Sequence, residues 1–186
     1  MYKRQFEFRV RSSEISYADV RVSPIARLMK RWPVFVVAGS CRPELPLFVY
    51  RSGQEELFRE LLPRIGRVKL VQCNFSQYSS RYDAFCKGET PPVFDPNCAG
   101  GALMDLGVYN VSYIVGLFGE PNQVKYTANI ERSIDTSGIL TMEYSGFRAV
   151  SIAAKDCAAP ARYVIQGTKG YILQKSTANF LSLIHI

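Results

Sequence analysis

A chain of 186 residues with 47% hydrophobic content is long enough to fold around one sizeable core and too apolar to be disordered. Its formal charge of +7 comes from basic residues scattered among acidic ones, without the dense run of a nucleic-acid footprint, so solvated surface charge accounts for it. The 5 cysteines form no C-x-x-C pair, which argues against a disulfide framework or zinc site and fits a reduced cytoplasm. No apolar run approaches the ~18 to 20 residues of a membrane span, and Met1 to Arg4 has no signal-peptide core behind it.

Both ends read as foreign to the protein. Residues 181–186, LSLIHI, are what CTG TCT CTT ATA CAC ATC encodes, a transposase end sequence used in preparing sequencing libraries. Its reverse complement contains GTG TAT AAG AGA CAG, which from a GTG start gives Met1 to Gln5. The expectation is that residues 1–5 and 181–186 are adapter sequence, that 6–180 belong to a fragment, and that His185, the single histidine, has no role.

Residues 6–53 show little sustained period, although VFVVAG at 34–39 is consistent with a buried strand. From residue 54 the pattern firms up. Leu57 with Leu61 and Phe58 with Leu62 stand at i,i+4, acidic Glu55 and Glu56 fall in the first turn, and Pro63 is expected to end a helix. RVKLVQCNFS at 67–76 then reads as a strand, with Val68, Leu70, Gln72 and Asn74 on one face and Lys69, Val71, Cys73 and Phe75 on the other. Residues 77–98, with Pro91 and Pro92 in succession, are expected to be a long loop at the rim of a pocket.

Residues 100–119, GGALMDLGVYNVSYIVGLFG, read as an apolar helix stopped by Gly119 and Pro121. The glycine pair at its start allows close backbone approach, and Asp105 and Tyr109 fall at i,i+4 on one face. Strands are expected at 123–131, 138–144, 147–154, 162–166 and 171–174, with tight turns at Ser145-Gly146 and Thr168-Lys169-Gly170. Such short connections imply antiparallel neighbours. The expected fold is α/β of the α+β type, a mostly antiparallel sheet with helices on one face.

The glycine cluster, the small apolar stretch, Asp105, Tyr109 four residues further on and the Phe118-Gly119 stop resemble the C-terminal domain of the glucose-fructose oxidoreductase, inositol dehydrogenase and MocA family (Gfo/Idh/MocA). QYSSRYDAF at 77–85 and VIQGTKGYI at 164–172 extend the likeness over about residues 54–174. Tyrosine stands where the family usually has histidine, as in its dihydrodiol dehydrogenase branch. The resemblance implies an NAD(P)-dependent dehydrogenase of sugars, polyols and related compounds, cytoplasmic, a homo-oligomer through the open sheet face, with no nucleic-acid or membrane partner and no metal. It also implies that 54–180 are a truncated substrate and oligomerisation domain, and that 6–53 are a remnant of the nucleotide-binding domain or are out of frame. No Glu-Lys-Pro motif and no G-x-G-x-x-G turn occur in the chain, so NAD or NADP would be bound mainly by a missing N-terminal domain, and the fragment alone is expected to be inactive.

On that resemblance Tyr109 and Asp105 are the expected catalytic residues. Arg81 and Tyr82, in the loop, either contact substrate hydroxyls or stand solvated on the surface. An unperturbed tyrosine titrates near ~10, so Tyr109 as an acid/base would need a nearby cation; it is otherwise a core tyrosine. Asp105 would be costly to bury ionised and unpaired, so it caps a backbone group or orients a sugar hydroxyl and the proton-transfer group. Lys155 and Asp156 read as strand-end residues without chemistry. A non-catalytic member binding a ligand or a protein is the alternative.

Overall fold

The computed structural model describes Phe58 and residues 60–175, together with the backbone of four short strands elsewhere. These four are β1 (Glu14–Ser16), β2 (Val34–Val36), β3 (Leu47–Val49) and β10 (Ile184–His185), with β2, inside the 34–39 stretch expected to hold a strand, pairing antiparallel with β3. The expectations for the rest of 6–53 lie outside the described residues.

Six strands carry the domain: β4 (Val68–Ser76), β5 (Gln123–Glu131), β6 (Ile134–Glu143), β7 (Arg148–Ala154), β8 (Arg162–Gly167) and β9 (Tyr171–Gln174). With β1 and β10 at its edges the sheet runs β1-β5-β6-β7-β4-β8-β9-β10. Every neighbouring pair is antiparallel except β4 with β7, which is parallel. Parallel neighbours need a long crossover. Here it contains α1 (Tyr82–Cys86), α2 (Val108–Phe118), β5 and β6. The α+β class and the mostly antiparallel sheet are as expected.

Alternation decides which face of the sheet is covered. Val71 and Cys73 of β4 point inward with Leu140 and Met142 of β6, Ala149 of β7, Tyr163 and Ile165 of β8 and Ile172 of β9. The helix α2 lays Tyr113 and Ile114 onto this layer, and Phe58 meets Tyr113 edge-to-face at 5.4 Å. Burying a side chain of this size contributes roughly 1.5–3 kcal/mol each, so this one layer supplies most of the drive to fold. Across the open face, Ile139 and Ile152 sit opposite each other, 47% and 36% exposed.

Three expectations need correction. Residues 77–98 are not one long loop: they hold α1 and two short 3-10 turns, Pro92–Phe94 and Pro96–Cys98. The helix expected from residue 100 begins as a widened π turn, Leu103–Gly107, before becoming α2. Phe58, Glu60 and Leu61 are helical, and the helix stops before Pro63 as expected, with Pro63 in a following 3-10 turn, Leu62–Ile65. Pro96–Phe118 is long and apolar enough to cross a membrane by length and composition, contrary to the sequence reading. Its α2 part packs onto the sheet here, with Asn110, Ser112, Tyr113 and Ile114 buried.

The expected turns are present. Tyr144 N–H bonds the Phe147 carbonyl at 3.1 Å around Ser145-Gly146, and Gly167 N–H bonds the Gly170 carbonyl at 2.8 Å around Thr168-Lys169.

Candidate active site

Three pieces of chain converge at the C-terminal ends of the parallel pair. In register, Phe75 and Ser76 of β4 lie beside Ala153 and Ala154 of β7, and β7 leads directly into Lys155. The π turn packs against both strands. Widened turns of this kind recur at functional sites because they re-aim the side chains they carry.

Asp105 lies in that turn. Its Oδ2 accepts a hydrogen bond from Lys155 Nζ at 2.6 Å, and the same ammonium donates to the Val93 carbonyl at 2.6 Å. The ammonium also stands 4.5 Å from the centre of the Phe94 ring. Lys155 is 2% exposed at its side chain, whereas Asp105 keeps 25%. Burial pulls the lysine below its usual range, while the hydrogen bond and charge of Asp105 and the charge of Asp135 act the other way. The sequence reading of Asp105 as a backbone cap or hydroxyl orienter therefore missed its partner.

Asp135, on β6, holds the start of the π turn. Its Oδ2 accepts from Leu103 N–H at 2.7 Å and from the Tyr126 hydroxyl at 2.7 Å. Burial raises the Asp135 carboxyl above the ordinary carboxylate range, and burial together with Asp135 raises the Tyr126 hydroxyl.

Tyr109 follows on α2, half-buried, its ring 5.7 Å from that of Phe75 and tilted by 51°. It packs against the main core and so stands on the β4 side of the site. Tyr82 stands further out. Its hydroxyl donates to Glu131 Oε1 at 2.8 Å, and that hydrogen bond is the main reason its pKa is raised. Its ring lies 5.8 Å from Phe94, the ring beside the Lys155 ammonium. Arg81 is exposed just before α1, with its backbone N–H donating to Ser79 Oγ at 3.2 Å.

Lys155 and Asp156 correct the sequence reading, which gave them no role. A signal for Lys155 was present. Ala149, Ser151 and Ala153 are the inward residues of β7, and Lys155 continues their alternation into the core. Asp156 Oδ2 accepts from the hydroxyls of Thr136 at 2.8 Å and Ser137 at 2.7 Å. Burial works against its charge, but these hydroxyls outweigh it and hold the carboxyl below its ordinary range.

A family model described as the GFO/IDH/MocA C-terminal domain matches residues 62–173. The chain belongs to the Gfo/Idh/MocA family. Among its Gfo/Idh/MocA relatives, scyllo-inositol 2-dehydrogenase (NADP(+)) IolU of Bacillus subtilis is 39% identical over 120 residues, covering 62% of this chain and 37% of its own. Oxidoreductase YgjR of Escherichia coli is 36% identical over 118 residues, covering 63% of this chain and 36% of its own. The chain thus spans just over a third of the length of these relatives. The WlbA dehydrogenase of Bordetella pertussis, solved with NADH and UDP-GlcNAcA, shares the fold at a TM-score of 0.56 and 16% identity, over 72% of this chain and 41% of that one.

Among the described residues no group of histidine, cysteine, aspartate or glutamate side chains is placed to hold a metal ion. The glycines of QGTKG form a hairpin whose first member abuts the Ile65 carbonyl, which is the wrong setting for a dinucleotide phosphate. The described part of the Gfo/Idh/MocA domain thus carries the Asp105 carboxylate and the Tyr109 phenol at the start of one helix.

Proposed function

We propose that this chain is the substrate and oligomerisation domain of an NAD(P)-dependent oxidoreductase acting on a sugar, polyol or related hydroxyl or carbonyl compound. The observation that carries the reading is the placement of Asp105 and Tyr109 on one helix start beside the ends of β4 and β7, with the Asp105 carboxylate held by a buried ammonium. The name of the IolU relative supports a polyol substrate. When bound, the nicotinamide nucleotide supplies hydride chemistry, and its site lies outside the described residues.

What this domain contributes is orientation and a proton. Asp105, as an acceptor, orders substrate hydroxyls, and the Tyr109 hydroxyl gives or takes the proton at the substrate oxygen. Arg81 and Tyr82 close the rim; Tyr82 must exchange its bond to Glu131 to touch substrate directly. The chain by itself is not expected to turn over.

The opposed Ile139 and Ile152 on the open sheet face support a homo-oligomer through that face. Ile139→Asp should then lower the solution mass measured by light scattering; an unchanged mass would remove this part of the reading.

The decisive experiment is steady-state kinetics of the full-length protein with scyllo-inositol and other polyols, with either nucleotide and nicotinamide absorbance as signal. Tyr109→Phe should lower turnover by ~100- to 10,000-fold while nucleotide affinity holds. Tyr113→Phe, deep in the core, is the control. Equal, near-parental turnover in both variants makes Tyr109 a core tyrosine, and absence of any turnover favours a ligand- or protein-binding member.

A further inference from the structure

Lys155 is an expensive residue for a place that packing alone could fill. Its side chain is 2% exposed, reaches Nζ between Asp105, the Val93 carbonyl and the Phe94 ring, and lies in the field of Asp135. Replacing a buried ion pair with apolar side chains of similar volume is often neutral or stabilising, so a staple between β7 and residues 93–94 does not require charge. A methionine would fill the same channel. What the ammonium alone provides is a fixed donor for one oxygen of a carboxylate that is otherwise 25% exposed.

The surrounding charges restrict what that donor can be doing. Two carboxylates approach it from different elements, Asp105 from the π turn and Asp135 from β6. Asp135 is already engaged by Leu103 N–H and the Tyr126 hydroxyl. Asp105 is the carboxylate that Lys155 contacts directly, at 2.6 Å.

We infer that Lys155 is a positioning residue of the candidate active site, which acts through its bond to Asp105 Oδ2 to fix the orientation in which Asp105 meets substrate hydroxyls. This rests on the oxidoreductase reading above. Lys155 touches no reacting atom; it narrows the freedom of a residue that does. Small misplacements of orienting groups cost rate steeply, which gives a buried anchor leverage on catalysis.

The test is a double-mutant cycle in the full-length protein, with scyllo-inositol as probe and calorimetry as a second readout. Lys155→Met should raise KM for the polyol about tenfold or more, with nucleotide affinity unchanged and the melting temperature within a few degrees. Asp105→Ala, which removes the acceptor of that bond, should weaken polyol binding comparably. Lys155→Met added to Asp105→Ala should then change kcat/KM by less than about twofold, because its route of action is gone. If Lys155→Met does not fold, Lys155→Gln, shorter and uncharged, carries the same cycle.

Additive losses, or a Lys155 variant with parental KM, overturn the inference while leaving the oxidoreductase reading intact. An Asp105→Ala protein with parental kinetics, or a parent that neither binds nor turns over polyol, removes that reading and this inference together.

Discussion

Gly101 holds a φ of +102°, and a β-carbon there would run into Asp135 Oδ1. The same carboxylate, through Oδ2, receives Leu103 N–H two residues further on. The absent side chain is thus what lets Asp135 reach the first turn of the site helix. Gly101→Ala would meet both a strained backbone and a displaced carboxylate. Strain in this region costs ~1–3 kcal/mol before the collision is counted, and the urea midpoint of the full-length protein should fall accordingly. An unchanged midpoint would show that the turn does not depend on this approach.

Asn110, fully buried on α2, ties the helix to the sheet. Its Nδ2 donates to Ser151 Oγ at 3.0 Å and to the Ile152 carbonyl at 2.9 Å, and its Oδ1 accepts from the Tyr163 hydroxyl at 2.7 Å. Asn110→Leu keeps the volume and removes all three bonds. Each buried polar group left unserved costs roughly 1–3 kcal/mol, so the variant should lose stability by at least that much. Adding Tyr163→Phe should recover part of the loss; no recovery would mean that the tyrosine bond matters little.

Asp156 should be visible in acid unfolding. Its folded-state pKa is depressed, so it contributes stability that is present above the unfolded carboxyl value and lost as pH falls through the folded one. The window lies at and below pH ~4. Asp156→Asn should flatten the fall in melting temperature across that window and lower it at pH 7. A variant with the parental acid slope would show that Thr136 and Ser137 do not distinguish its charged form.

What sequence could reveal depended on how local the cause was. β5 and β9 were readable to the residue because alternation fixes a strand within its own length. Gly100 was read as a point of close approach, and a β-carbon there would meet the backbone of Asp95 at 2.7 Å. β6 was expected to begin later than Ile134 because its hairpin uses Arg132 and Ser133, both at positive φ, where Asn-Gly would have given the turn away. Arg132 compensates by donating to the carbonyls of Phe85, Gly88 and Glu89, which fastens the segment after α1. That helix, five residues long, was too short to show a period. The site was half legible: Asp105 and Tyr109 share a helix, whereas Lys155 meets Asp105 across 50 residues of chain, beyond any local pattern.

The parallel seam also sets a timetable for synthesis. Leu70 needs Arg148 on one edge of β4 and Gln166 on the other. A growing chain therefore leaves the ribosome with its central strand unpartnered on both sides until β7 and β8 follow. An early stop or a long pause in that interval would display two open strand edges at once, the state most prone to pairing with a neighbouring copy, so expression of this domain should be unusually sensitive to chaperone supply.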